Sequence, residues 1–74
     1  MSEKVTVAVL RHQDGWRVTR NDRLMKACDF RVDAEEAGLN LAAAAHRSGR
    51  DVELLVQEDK SYELRPMEGW RSLN

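Results

Sequence analysis

Along the opening stretch, apolar positions recur every second residue. Val5, Val7 and Val9 alternate with Thr6, Ala8 and Leu10, and β-branched side chains dominate. A period of two with such residues predicts a strand. Asp14-Gly15 follows, and Asp-Gly suits a two-residue hairpin turn that needs positive φ at both central positions. Centring the turn there pairs Gln13 with Trp16 and Arg11 with Val18. Val5, Val7 and Val9 then share a face with Trp16 and Val18, because directly opposed residues point the same way. Asn21-Asp22-Arg23 breaks the second strand. The segment from Leu24 to Phe30 is expected to resume it, with Cys28, Phe30 and Val32 on one side.

The period then changes. Asp33 followed by Glu36 has the spacing of a capping box, Glu35 adds negative charge to a first turn, and Gly49 suits the position just past a helix end. Alanine and leucine, strong helix formers, fill the interior. Ala34, Ala37, Gly38, Leu41 and Ala45 form one stripe, widened by Leu39 and Ala42. Small residues on that stripe allow close approach to a sheet, with Trp16 and Phe30 expected to fill the gaps. Further on, Val52, Leu54 and Val56 alternate with Glu53, Leu55 and Gln57. Tyr62 and Leu64 are expected to join the Val56 face across a loop of Glu58, Asp59 and Lys60, with Asp59 or Lys60 taking the left-handed position. Pro66 suits a strand end or an edge. The pattern predicts an α+β fold of β-β-α-β-β order, an antiparallel sheet with one helix on one face, spanning residues 1–66. Residues 67–74 show no period and read as a C-terminal tail.

The run HQDGWRVTR after the first strand, the helix opening DAEEA, and VELLVQEDKSYEL as a closing hairpin together resemble the small bacterial domains grouped as domain-of-unknown-function family 2188. The likeness covers residues 5–65, most of the chain. It implies two hairpins around one helix and carries no established activity. The second hairpin of that family commonly turns at Asp-Gly, whereas Lys60 follows Asp59 here.

Composition changes the picture in three ways. A chain of 74 residues buries only about 60% of its unfolded surface, so its stability is marginal unless something is added. The single cysteine, Cys28, forms no internal disulfide, which leaves self-association as the simplest addition. The N-terminus lacks a signal-like apolar stretch and the longest apolar run is Leu41 to Ala45, so a reduced cytoplasm is the expected compartment and a membrane is not an expected partner. The net charge of −1 exerts no global pull on nucleic acid. Locally, however, Arg11 to Arg31 is basic and Asp51 to Glu68 acidic, a dipolar layout that can pair within one fold or between two copies.

Candidate chemistry is sparse. Both tryptophans sit in an acidic-Gly-Trp-Arg tetrad, at 14–17 and 68–71, but the flanks differ and no duplicated module is implied. Trp16 reads as core. Trp70 has no assigned place there, so it either folds back over an edge or anchors a partner. His12, Cys28 and His46 lack zinc spacing. His46 is explained by the helix C-terminal dipole, and Cys28 by a small core position. Neither a phosphate loop nor a nucleophile elbow is present, so no catalytic residue, metal or cofactor is assigned. Arg11, Arg17, Arg20 and Arg23 offer a basic hairpin that could follow phosphates, without aromatics for base stacking. On the sheet face away from the helix, Leu10, Leu55 and Met67 are expected to form an apolar patch. The function expected is a small non-catalytic interaction module without a small-molecule substrate. It would self-associate as a homodimer through that face, an edge strand or Trp70. The alternative is an accessory protein binding nucleic acid through the four arginines.

Overall fold

The computed structural model describes residues 4–58 and 62–73. One helix packs on a five-stranded sheet, an α+β architecture. The strands are β1 (Lys4–His12), β2 (Gly15–Arg20), β3 (Arg23–Cys28), β4 (Asp51–Gln57) and β5 (Leu64–Pro66). The helix α1 (Arg31–Arg47) lies between β3 and β4, and a short 3₁₀ helix, Trp70–Leu73, ends the fold. Across the sheet the order is β3-β2-β1-β4-β5. All neighbours are antiparallel except β1 and β4, which are parallel.

That parallel pair corrects the expectation of a wholly antiparallel sheet, and the extra strand explains it. β1, β2 and β3 form a meander, so the chain leaves β3 at the same end of the sheet where β1 finishes. The helix carries it back, and β4 must start where β1 starts. Two strands before the helix would have left β4 antiparallel to β1. The break at Asn21-Asp22 is therefore a second tight turn. Both residues have positive φ, 50° and 67°, as a type I′ turn requires. Asn21 is also tied to β1: its backbone N–H donates to the Thr6 carbonyl at 2.8 Å, and its Oδ1 accepts from the Thr6 N–H at 2.8 Å. The side chain thus continues the ladder where the backbone turns away.

In the first hairpin His12 opposes Gly15, Arg11 opposes Trp16 and Val9 opposes Val18. The turn is centred on Gln13-Asp14, a shift of two from the expected register. Because side chains alternate with period two, every face is preserved, and Val5, Val7, Val9, Trp16 and Val18 all enter the core. Gly15 serves a different purpose. Its φ is 140°, and a Cβ there would stand 2.4 Å from the Cys28 carbonyl oxygen. The glycine lets the end of β3 close over the start of β2.

The second hairpin departs from expectation by an odd number of residues, and its faces invert. Val56 opposes Arg65 and Gln57 opposes Leu64, so Leu64 lies on the face away from the helix. Tyr62 is 91% exposed instead of packing beside Val56. The expected left-handed position at Asp59 or Lys60 lies outside the described residues.

The core sits between α1 and the face formed by Val5, Val7, Val9, Val18, Val52, Leu54 and Val56. Ala34, Ala42 and Ala45 are buried against it, as the small-residue stripe implies. A Cβ on Gly38 would stand 2.9 Å from Val9 Cγ2 and 3.4 Å from Leu54 Cδ1, which places the helix directly over β1 and β4. The helix opens earlier than the capping box suggests. Its N-cap is Phe30, without a side-chain cap bond, and Asp33 lies in the first turn. Arg31 is drawn into the fold instead: its guanidinium stacks 5.6 Å from the Trp16 ring, and its Nε donates to Glu35 Oε1 at 2.6 Å. Phe30 consequently points outward, 67% exposed, and Val32 is also exposed. At the other end Gly49 has φ 86°. The Gly49 N–H bonds the His46 carbonyl at 3.0 Å and the Arg50 N–H bonds that of Ala45 at 3.2 Å, the paired bonds of a Schellman termination.

Candidate interaction surfaces

The residues expected to meet on the open face divide between two locations. Leu24, Thr19, Ala8, Leu55 and Pro66 form one row across all five strands. In the next row Arg17 opposes both Leu10 and Ala27, and Gln57 opposes Leu64. Leu10 and Leu55 are thus on the open face, each half-buried. Met67 is not. Its N–H donates to the Leu54 carbonyl at 2.9 Å, and its side chain packs against the helix-side core. Sequence parity misplaced Met67 because the expected register of the second hairpin was off by an odd number of residues; with Leu64 and Pro66 on the open face, alternation carries Met67 to the helix side. Leu64, Pro66 and Leu24 complete the apolar rows in its place. Leu64 was placed on the other face by the assumed loop length, and Leu24 was not singled out.

Of the two roles expected for Trp70, the structure shows the folding back: it is 3% exposed and belongs to the core, which corrects its place among the interaction residues. The 3₁₀ helix folds back over the end of α1, where the His46 ring meets the Trp70 ring edge-on at 5.7 Å. Arg71 covers the indole at 4.8 Å, and its Nη2 donates to the Val52 carbonyl at 2.6 Å. Residues 67–73 therefore dock on the domain through Met67 and Trp70.

The four arginines of the basic hairpin do not share one surface. Arg17 is on the open face opposite Leu10, and Arg11 lies at the far end of β1 opposite Trp16. Arg20 and Arg23 oppose each other beside the β2–β3 turn, on the helix side. Cys28 is a buried free thiol. His12 is exposed at the end of β1 and His46 packs on Trp70. Among the described residues no three of His, Cys, Asp and Glu gather as metal ligands.

Two shallow cavities lie along the gap between β3 and α1. One, about 380 Å³, is walled by Lys26, Asp29, Phe30, Asp33 and Glu36. The other, about 350 Å³, is walled by Arg20, Met25, Leu41, Ser48 and Arg50. The gap is acidic at the start of the helix and basic at its end. Beside it, Leu24 is 59% and Met25 44% exposed. Phe30 and Val32, just past the end of β3, are exposed as well, as is Tyr62 before β5.

No family model matches this chain, and comparison with the curated proteins and with the solved structures finds no match. Among the described residues no helix is long and apolar enough to cross a membrane.

Proposed function

We propose that this chain is a small non-catalytic protein-interaction module that self-associates. The observation behind this reading is that several large apolar side chains stay outside the core in two regions. Leu10, Leu55 and Leu64 lie on the uncovered sheet face, and Leu24, Met25 and Phe30 along the β3 edge. Grouped exposed apolar surface is characteristic of interaction sites, and a two-fold contact between copies would add burial that a chain this short lacks. The resemblance to the hairpin–helix–hairpin family belongs to the same proposal and adds no activity to it. Nucleic-acid binding is the lesser reading, because its four arginines are divided between two faces and both ends of the sheet.

Solution mass, from light scattering after size exclusion over about a hundredfold range of concentration, tests the reading. A dimer with a measurable dissociation constant is expected, and a monomer throughout would overturn it. Leu55→Glu then separates the two surfaces. It abolishes a dimer formed through the open face and leaves an edge-to-edge dimer unchanged.

A further inference from the structure

Resting on that reading, the geometry points to the β3 edge as the contact: we propose that β3 of a second copy adds antiparallel to β3, joining two five-stranded sheets into one. β3 pairs only with β2 among the described residues, so its outer row of backbone N–H and C=O groups is available for another strand. Edge strands are usually blunted against such pairing by charges and bulges. β3 carries both devices, Arg23 and Lys26 and an irregularity opposite Val18/Thr19. Here they restrict the partner to one with a matching pattern.

That pattern is set by the bulge. Arg23 opposes Arg20 and so faces the helix side, whereas Leu24 opposes Thr19 and faces the open side. Met25 is the extra residue and lines the helix-side cavity with Leu41. Lys26 opposes Val18 on the helix side, Ala27 opposes Arg17 on the open side, and Cys28 opposes Trp16 on the helix side. From Arg23 to Cys28 the faces read helix, open, helix, helix, open, helix. The order is the same in both directions. An antiparallel copy therefore fits with Leu24 opposite Ala27 of the second copy, Met25 opposite its Lys26, and Arg23 opposite its Cys28. Moving the register by one residue either way sets helix-side residues against open-side ones, which pleating forbids.

Charge selects the same arrangement. The strand starts with Arg20 and Arg23 on either side of the Asn21-Asp22 turn, a net positive end, and finishes at Cys28 beside Asp29, Asp33 and Glu36. Antiparallel pairing lays each basic start over the other copy's acidic end, twice by symmetry, whereas parallel pairing would set like against like. The contact also covers Leu24 and Met25. Leu10 and Leu55 are already half-buried and Ala8 is buried, so the open face gains less. The two-fold axis runs normal to the sheet, leaving both helices on one side and the open faces continuous.

Sedimentation equilibrium at low salt on the full chain tests this with Arg23→Glu and Asp29→Arg, singly and together. Both positions are exposed, and circular dichroism confirms that each variant folds. Each single reversal is expected to weaken the dimer roughly tenfold, and the double reversal to restore it, since Arg23, opposite Cys28 of the second copy, stands next to its Asp29, so that like charges become neighbours in the first case and opposite charges in the second. Amide hydrogen exchange supplies a second readout: protection within residues 23–28 should rise with protein concentration. A wild-type monomer at all concentrations would overturn both this contact and self-association itself. A dimer insensitive to the reversals, with exchange in β3 independent of concentration, would overturn the edge contact and leave self-association standing.

Discussion

Gly15 shows how one residue can be legible in sequence for a reason the fold then replaces. An Asp-Gly pair signals a turn, yet the turn falls one residue earlier, and the glycine is needed because the Cys28 carbonyl occupies the place of a Cβ. Gly15→Ala must therefore both strain a φ of 140° and displace backbone. A loss of about 2 kcal/mol or more is expected in urea unfolding, and an unchanged midpoint would contradict the close approach. Asn21 shows the reverse. Its positive φ and its side-chain bond to Thr6 close the turn that separates β2 from β3. An Asn-Asp pair is a weaker hairpin signal than Asp-Gly, which is why this turn reads from sequence as a simple break.

At the level of elements, hydrophobic period identified β1, β2, β4 and the helix, because each buries one face and must alternate accordingly. β3 was harder to delimit. Its edge position exempts it from that demand, and all its residues but Cys28 are exposed. Phe30 and Val32 then continued its apparent alternation into what is the first turn of the helix. The second hairpin failed for another reason: a loop one residue longer or shorter inverts the faces, and nothing in its composition sets the length. The C-terminal segment lacks a period because it is held by one large side chain. Trp70→Ala removes an indole buried among core residues and exposes the helix end. A cost of about 3–5 kcal/mol is expected, comparable to the whole stability of a small domain. Near-ultraviolet circular dichroism and thermal melting should show a largely unfolded chain. A well-folded variant would mean that the 3₁₀ helix is an appendage to the fold.

For the whole molecule, the balance between burial and chain entropy is close at this size, so an added interface should be visible as stability. If the chain self-associates as proposed, its thermal midpoint rises with protein concentration, because dimerisation favours the folded state by mass action. Melting curves at two concentrations about a hundredfold apart that superimpose would instead indicate a monomer. Arg23→Glu should move that rise to about tenfold higher concentration while leaving the dilute midpoint nearly unchanged, since its side chain is exposed and outside the core.

The sequence by itself determined which residues of β1, β2, β4 and the helix turn inward. Alternating valines, an alanine-rich stripe and a Gly49 terminus each follow from local geometry and from the need to bury one face. Those constraints act within a single element, so they can be read along the chain. The tertiary structure alone decided how the elements meet: the parallel pairing of β1 with β4, the register of the second hairpin, the exposure of Phe30 and the burial of Trp70. Each depends on a neighbour distant in sequence. The third strand sets the direction in which β4 must run, Trp16 draws Arg31 into the start of the helix, and His46 and Val52 receive the C-terminal turn. A period of two states only that a strand has two faces, and it takes the assembled sheet to leave β3 at an edge, exposed to another molecule.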